Sequence, residues 1–416
     1  MATTEARRVE YMGRQAVVLS NDQVVTVVEA VGGMVPVFAA RRGASVLNAH
    51  WLPDFRDTSG TPWSEAAHAP YWKVKLLHQI AGDFPCTPSF GGACVVDGVS
   101  HPVHGWGAND EWRLVAVGQD PETGAAWARS RLESPAPALP LSFEKLDVIF
   151  PGEPAYHSII RVRNDGAAAQ LVNLVRHNTL GPPFLAAGCR ISLAADRFMS
   201  APVGTEFDPT GRLAQGATFD DLAKAPLRAG GTADLGEVPG MIGHSDFVMG
   251  AISPKLSLGW SCVVNPVLRL AYVCFFPGAA GLPAGEVASS FNELWLQYGG
   301  RTSTPWALYD GGDDRVFCLG TENGVSSFNL GLAYARANPE LLGRPTVFEV
   351  PAGGDRTFVY GTALVPLDDA LVREGVRAIE AEPGAMVLQG AKARQRAPVR
   401  ADFAGARAVW ARVAGA

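Results

Sequence analysis

Short runs of apolar residues, separated by turn residues, recur along most of the chain. Residues 14–19 and 23–28 are rich in Val and are joined by Ser-Asn-Asp, which predicts a β-hairpin. Comparable runs predict further strands at 95–99, 112–117, 126–132, 143–149, 157–163, 170–176, 246–252, 257–264, 268–275, 292–298, 315–320, 326–332, 345–350 and 356–364. Because strand follows strand with few helical periods, the pattern predicts an all-β protein, a large antiparallel β-sandwich.

The pattern changes near the C-terminus. Within residues 367–381 apolar positions recur near helical spacing, and residues 401–413 predict a second helix. The apolar positions of the first segment are Leu371, Val372, Val376 and Ile379. We therefore expect one β-rich domain over residues 1–366 and a helical extension over residues 367–416, which serves as a packing element without chemistry of its own.

The composition supports many turns and few long helices, because the 416 residues include 46 Gly and 30 Pro. The net charge of −6 and the scattered basic residues argue against a nucleic-acid partner. The sequence contains no apolar stretch of about 18 residues, so it predicts no membrane span. The N-terminal residues lead into no apolar segment of a signal peptide, so we expect a cytoplasmic protein.

The cysteines and histidines show no metal-binding pattern. The six Cys lie far apart without a CxxC pair, which predicts free thiols in a reducing compartment. The eight His are dispersed, and no Cys/His set has the spacing of metal ligands. We therefore expect no metal site.

Two titratable residues stand at the ends of apolar strands. His177 follows the apolar run 171–175 and precedes the turn at residues 181–183, a position that favours a place in a pocket. Glu322 ends another apolar strand, where burial raises the pKa of a carboxyl group towards an acid/base value. The alternative for His177 is a histidine with a purely structural role, and the alternative for Glu322 is a structural hydrogen-bond acceptor. His177 and Glu322 form an acid/base pair only if the fold brings them together.

Aromatic and polar residues alternate in several predicted loops. His104, Trp106, Asn109 and Asp110 share one glycine-containing loop. Aromatic rings stack on the C–H faces of a sugar, and the polar groups bind its hydroxyls. The alternative is an edge loop whose aromatic rings cap the core. Further candidates of these residue types are Trp51, Asp83, His244, Asp246, Glu293, Trp295, Gln297 and Arg301.

Three of these segments resemble, in order and approximate spacing, the aldose 1-epimerases (galactose mutarotases) and their uncharacterised relatives. They are His104-Gly105, the histidine segment at residues 176–185 and the strand Leu319-Gly320-Thr321-Glu322. The resemblance covers about residues 1–366 and is closest to the uncharacterised relatives. It implies a β-supersandwich with a sugar site, and an isomerase that interconverts sugar anomers.

The resemblance also implies roles for individual residues. Glu322 would be the general base on the anomeric hydroxyl, and His177 the general acid at the ring oxygen. His104 would hydrogen-bond the sugar near the reacting carbon. The substrate-binding residues would be Asp246, Trp106, Asp83, Trp51 and Asn178. Neither a metal nor an organic cofactor would be required. We expect His177 and Glu322 to face each other across a sugar ring, too far apart for a direct hydrogen bond.

Two other functions stay open at this point. A sugar-binding protein without turnover is favoured by residues 90–93, Phe-Gly-Gly-Ala, which occupy the neighbourhood of an arginine in the family. A different carbohydrate-active enzyme is favoured by the long Gly- and Pro-containing segment 201–245, which is predicted to reshape the rim of the pocket. In each case the expected partner is a small-molecule carbohydrate. A homodimer is an assembly that we also consider.

Overall fold

The computed structural model describes residues 3–414, and these residues form mainly strands. In chain order the strands are β1 (Glu5–Tyr11), β2 (Arg14–Ser20), β3 (Val24–Glu29), β4 (Val37–Arg42), β5 (Ser45–Asn48), β6 (Pro85–Cys86), β7 (Cys94–Val96), β8 (Val99–His101), β9 (Arg113–Gln119), β10 (Ala126–Glu133), β11 (Leu141–Ile149), β12 (Ala155–Asn164), β13 (Gln170–Val172), β14 (Leu174–Arg176), β15 (Thr179–Leu180), β16 (Arg190–Leu193), β17 (Arg197–Ser200), β18 (Thr218–Phe219), β19 (Ala225–Pro226), β20 (Thr232–Ala233), β21 (His244–Ala251), β22 (Leu258–Asn265), β23 (Leu270–Pro277), β24 (Phe291–Tyr298), β25 (Phe317–Val325), β26 (Glu340–Leu341), β27 (Arg344–Pro345), β28 (Phe348–Val350), β29 (Asp355–Pro366), β30 (Ala378–Glu382), β31 (Ala385–Gln389) and β32 (Arg394–Ala397).

The helices are short and lie between the strands or near the C-terminus. They are α1 (Glu65–Trp72), α2 (Lys75–Gln79), α3 (Gly105–Asn109), α4 (Gly331–Ala337), α5 (Asp369–Glu374) and α6 (Ala404–Val413), with a 3-10 turn at Leu222–Lys224. Within residues 3–414, none of them is long and apolar enough to cross a membrane.

Three antiparallel sheets form the body. A five-stranded sheet runs β1-β2-β3-β4-β5. The sheet that we call the back sheet has the order β16-β22-β23-β29-β12-β11-β10-β9. The sheet that we call the site sheet has the order β18-β17-β21-β24-β25-β14-β6, and β15 also pairs with β25. This architecture confirms the predicted all-β sandwich.

Successive side chains of the site sheet point to opposite faces, as the pleat of a strand requires. On β24 and β25, Leu294, Leu296 and Leu319 point towards the back sheet and join a buried core with Tyr272 and Leu364. The residues between them turn to the other face of the site sheet, where Phe291, Trp295 and Cys318 join a second apolar cluster. The same strands therefore build the core on one face and the walls of a cavity on the other.

A fully buried ion pair lies between the two large sheets. Arg176 Nη2 is 2.5 Å from Asp83 Oδ2, and neither side chain is exposed. The Arg176 guanidinium lies 4.8 Å from the ring centroid of Tyr360, whose hydroxyl donates to Asp83 at 3.0 Å. Burial opposes the charge on Arg176, but Asp83, together with Tyr156 and Tyr360, outweighs burial and raises the arginine pKa. Arg176 therefore keeps its charge in the interior with Asp83 as its counter-ion.

We expect Arg176→Met to lower the free energy of unfolding by about 3–5 kcal/mol, because it leaves Asp83 buried without a counter-charge. Urea unfolding measures this change. Arg163→Met is the matched control, because Arg163 pairs with Asp165 on the surface with half-exposed side chains. The control should leave the unfolding midpoint in place. An equal free energy of unfolding for Arg176→Met and Arg163→Met would show that the buried pair contributes no more to stability than the surface pair.

The C-terminal extension is mixed rather than helical throughout. The predicted helix at residues 401–413 is present as α6. The predicted helix over 367–381 is wrong for most of its length, because α5 spans six residues and ends at Gly375 with φ 74°. Strands β30, β31 and β32 follow and form a separate three-stranded sheet. All residues of β31 except the last are buried. Packing of this sheet therefore decides the secondary structure after residue 375, against the helical spacing of apolar residues in 367–381.

The extension covers the outer face of the back sheet. Leu371, Met386, Phe403 and Val409 share one buried apolar cluster with residues of β12, β22, β23 and β29. The ring centroids of Phe403 and Phe275 are 5.1 Å apart, and the two rings are stacked. Residues 367–414 therefore add to the core from the outer side of the back sheet, and a domain boundary at residue 366 stays a prediction.

We expect Phe403→Ala to lower the free energy of unfolding by about 3–5 kcal/mol, because it opens a cavity between the extension and the back sheet. Phe403 is 1% exposed, whereas Val267 is 87% exposed. Val267→Ala is therefore a surface control that should unfold at the same denaturant concentration as the parent. A parent-like midpoint for Phe403→Ala would contradict a structural role of the extension.

Candidate active site

A cavity of about 540 Å³ opens on the face of the site sheet that turns away from the back sheet. Its apolar wall includes Leu76, Leu77, Phe90, Phe247, Trp295 and Trp306. Its polar groups include His104, His177, Glu206, Arg301, Glu322 and Asn329. The volume and the mixed lining are those of a small-molecule site.

The backbone around His177 is held by two neighbouring segments. Its N–H donates to the carbonyl of Phe84 at 2.9 Å, and its Nδ1 lies 3.0 Å from Thr179 Oγ1. The imidazole stacks on the Phe84 ring with a centroid distance of 4.5 Å and an interplanar angle of 13°. The ring is therefore fixed in orientation, with Nε2 free to face Glu322.

The structure brings His177 and Glu322 closer together than we expected. His177 Nε2 lies 3.3 Å from Glu322 Oε1, so the predicted separation by the width of a sugar ring is wrong. Neither Glu322 oxygen has a hydrogen-bond partner, although the side chain is 1% exposed. The physical reason for the error is simple: the anomeric hydroxyl and the ring oxygen share one carbon, so their acid and base need not stand a ring apart.

Gly320 makes room for the Glu322 carboxyl group. It lies two residues before Glu322 on the same face of β25, opposite Trp295 on β24. A Cβ atom at residue 320 would stand 2.7 Å from Glu322 Oε1 and 2.8 Å from Trp295 Cβ. Only glycine therefore leaves both side chains in their observed positions.

His104 completes the group from the loop before α3. Its backbone is in the left-handed region, with φ 60° and ψ 18°, which is uncommon outside glycine. Its Nδ1 accepts a hydrogen bond from the Gly91 N–H at 3.1 Å, so the neutral ring carries its proton on Nε2. Burial lowers the pKa of His104 to about 4, against a smaller opposing effect of Glu206.

The pKa shifts of the central pair favour the uncharged form of each group. Burial, with the nearby carboxyls of Glu293 and Glu206, raises the pKa of Glu322 well above its usual value. Burial, with neighbouring His104, lowers the pKa of His177 well below 6.5. The two shifts act together, because one favours a protonated Glu322 and the other a neutral His177.

Two polar residues at the cavity, Glu206 and Asn329, were not predicted as site residues, and they lie near Arg301, which was predicted only as a further candidate. Glu206 lies in the segment 201–245, and its carboxylate bridges Arg301 Nη1 at 2.9 Å and Asn329 Nδ2 at 3.0 Å. Burial opposes the charge on Glu206, but Arg301, together with His104 and Asn329, outweighs burial and lowers the pKa of Glu206. The Arg301 guanidinium lies 4.3 Å from the Trp306 ring centroid. The residues come from three distant loops, so no local motif joins them in the sequence.

Three predicted substrate-binding residues point away from the cavity. Asn178 follows His177, so its side chain turns inward to the hydroxyls of Tyr272 and Tyr360. Asp83 is inward as well, in the ion pair with Arg176 described above. Asp246 accepts backbone hydrogen bonds from residues 212 and 213, whereas the adjacent Phe247 lines the cavity. The prediction that they line the pocket is wrong, because strand alternation selects their neighbours.

Two predicted tryptophans lie one layer behind the cavity. Trp51 is 4% exposed, and its ring stacks parallel to Trp306 at 6.4 Å and edge-on to Trp295 at 5.9 Å. Trp106, in α3, stacks on His101 at 5.2 Å within another apolar cluster. Neither lines the cavity, so the prediction that they contact a substrate is wrong. Trp295 and Trp306 present the aromatic surface instead, and the alternation along β24 is the signal that identifies Trp295.

No group of three or more His, Cys, Asp and Glu side chains within residues 3–414 is arranged to hold a metal ion. The six cysteines are free thiols, five of them buried. His104, His177 and Glu322 are groups of the kinds that transfer protons and form hydrogen bonds at such a cavity.

Together, the fold and the placement of the cavity define a β-supersandwich of the galactose mutarotase-like type. A Klebsiella pneumoniae structure, provisionally assigned as an aldose 1-epimerase, aligns with a TM-score of 0.59 and 15% identity over 87% of this chain and 82% of that chain. A galactose mutarotase-like protein from Clostridium acetobutylicum aligns with a TM-score of 0.57 and 10% identity over 88% and 99% of the two chains.

A structure from Escherichia coli K12, also provisionally assigned as an aldose 1-epimerase, gives a TM-score of 0.51 and 14% identity over 88% of this chain and 100% of that chain. No protein-family model and no curated protein sequence matches the chain. At these identities the comparisons establish the fold, and the activity has to be argued from the cavity.

We expect the His104 ring to stay neutral, with its proton on Nε2, from pH 6.5 down to about pH 4. The unfolded chain binds a proton at this histidine within that window, whereas the folded protein does not. Stability conferred by the neutral ring is therefore lost as the pH falls from 6.5 towards 4. Heteronuclear NMR of the imidazole nitrogens during an acid titration measures both pKa and tautomer. An imidazolium at pH 6 would contradict the assignment.

Proposed function

We propose that the protein is an aldose 1-epimerase-like carbohydrate isomerase, which interconverts the anomers of a sugar through Glu322 and His177. One observation carries the proposal. Residues that are far apart in the sequence, His104, His177 and Glu322, meet at one cavity of small-molecule size. Their order along the chain and their residue types are those of the family that the sequence resembles. A cytoplasmic location and a homodimeric assembly stay predictions.

The contact of 3.3 Å between His177 and Glu322 supports a proton exchange within the pair. Burial keeps both groups neutral, with the proton on Glu322. When the polar hydroxyls of a sugar enter the cavity, they supply hydrogen bonds that favour the charged form. The proton then passes to His177, which leaves a carboxylate as the base and an imidazolium as the acid.

Ring opening follows from two proton transfers. Glu322 removes the proton of the anomeric hydroxyl, and the electron pair of that O–H bond forms the carbonyl. The bond between the anomeric carbon and the ring oxygen breaks, and the ring oxygen takes the proton of His177. After rotation of the carbonyl group the steps reverse, and the ring closes on the other face. The Nε2–H of His104 donates a hydrogen bond near the reacting carbon.

The remaining cavity walls fit a sugar. Trp295 and Trp306 present aromatic faces for its C–H groups. Arg301 Nη2, Asn329 Oδ1 and Trp295 Nε1 are buried without a hydrogen-bond partner within the protein. Such orphaned groups are costly unless a ligand satisfies them. Both donors and acceptors are available, as the hydroxyls of a sugar require.

A sugar-binding protein without turnover is the second candidate. It is favoured by residues 90–93, which place Phe90 and two glycines where the family has an arginine. In the structure Phe90 lines the cavity next to His104, with ring centroids 4.9 Å apart. An apolar ring at this place supports binding but cannot stabilise a developing negative charge.

We expect Glu322→Gln and His177→Asn each to slow anomer interconversion by about 100- to 10,000-fold, because each removes one positioned proton-transfer group. The amides keep much of the size and hydrogen bonding of the parent side chains. Sugar binding should therefore weaken far less than the rate. Polarimetry of freshly dissolved sugars, followed over a panel of free and phosphorylated aldoses, measures the rate, and calorimetry measures binding.

The matched controls are Glu349→Gln and His244→Asn, at exposed positions outside the cavity. Both should interconvert anomers at the parent rate. If the two cavity variants do so as well, the proposed pair is not the acid/base machinery. If the parent binds a sugar but does not accelerate its interconversion, the sugar-binding function is the better account.

A further inference from the structure

A second buried carboxyl group stands directly beside Glu322. Glu293 on β24 is the antiparallel partner of Glu322 on β25. Directly opposite residues share a face, with Cβ atoms about 4.5–5.5 Å apart. Glu293 is fully buried and does not line the cavity, so it reaches a substrate only through Glu322.

The two carboxyl groups are poorly supplied with hydrogen-bond donors. The Ser326 hydroxyl donates to Glu293 Oε1. Glu293 Oε2 and both oxygens of Glu322 are buried without a partner. Within residues 3–414, neither carboxyl forms an ion pair with a lysine or an arginine. Neighbouring carboxyl groups without a counter-charge disfavour ionisation of both groups at once.

Other titratable groups around the dyad do not supply that charge. His177 is held neutral by burial, and Glu206 adds a further negative charge from its loop. Burial raises the pKa of the Cys86 and Cys318 thiols, so they stay neutral. Other neighbours are His104, which is neutral, Arg301, which is engaged by Glu206, and Arg176, which is neutralised by Asp83 on the other face of the sheet.

We propose that Glu293 is a positioning residue, which shares a proton with Glu322 and thereby keeps Glu322 in its protonated form facing His177. This inference rests on the proposed function and adds a residue that the sequence resemblance does not assign. Burial also raises the pKa of Glu293 to about 8, against a smaller effect of the Ser326 hydroxyl. The two carboxyl groups therefore titrate as a unit, and the pKa of each is raised.

The proposal predicts a specific pH dependence. The His177–Glu322 pair is competent while it holds one proton, so the rate falls when rising pH removes that proton. In Glu293→Gln the neighbouring negative charge is absent, and an amide N–H can donate to Glu322. The Glu322 proton then leaves at lower pH, and the alkaline limb of the kcat/KM profile shifts down by about one pH unit or more. KM at the optimum should change little, because Glu293 does not touch the cavity.

Glu293→Asp is the conservative variant, because it retains a carboxyl group and should hold the alkaline limb closer to the parent position than Glu293→Gln does. Glu349→Gln, at an exposed strand position, is the matched control and should leave the profile unchanged. An unshifted limb in a folded Glu293→Gln variant overturns the proposal. An equal shift of the alkaline limb in Glu293→Gln and Glu293→Asp also overturns the proposal, because it would reflect a change of packing alone.

A second measurement needs neither turnover nor a folded Glu293 variant. Infrared difference spectra of the parent against Glu322→Gln, recorded during a pH titration, report the carbonyl band of a protonated carboxyl group. We expect the parent to retain this band at neutral pH and Glu322→Gln to reduce it. If the parent lacks this carbonyl band at neutral pH, the proposal of a shared proton is overturned. If the parent shows the band but no anomer interconversion, the proposed function fails while the proton sharing stands.

Discussion

The alternation of side chains along β14, β24 and β25 is the constraint on which the rest of the structure depends. One set of residues fills the space between the two large sheets, and the other set forms the floor of the cavity. Trp295 and Glu322 face the cavity because Leu294 and Leu319 face the core. A shift of register by one residue would bury the site and expose the core, so packing and site geometry are specified together.

Adjacent residues on one strand meet opposite electrostatic outcomes. Arg176 is buried and charged, because Asp83 supplies its counter-charge within 2.5 Å. Burial, with neighbouring His104, lowers the pKa of His177, the next residue, well below 6.5. The fold thus uses a compensated charge for cohesion on one face. On the other face, burial favours the uncharged forms of His177 and Glu322.

The sequence was sufficient for the sandwich and insufficient for the wall of the cavity. Apolar runs and turn residues indicated most long strands. His177 and Glu322, which the sequence placed at strand ends, both line the cavity, although Glu322 lies inside β25. Asn178 and Asp246 were misplaced because composition does not state which face a residue takes. Glu206 and Arg301 meet only through loops that lack regular periodicity. In the extension, contacts with the back sheet outweighed the helical spacing that precedes β30.

The packing of residues 367–414 on the back sheet also bears on the order in which the chain becomes compact. Every strand of the two large sheets precedes this segment, so all of them leave the ribosome before their apolar outer face has a cover. During synthesis that face, which includes Phe275, is exposed to water and to other nascent chains. The need for a chaperone should therefore be greatest in this interval, and it should end when α6 reaches the sheet.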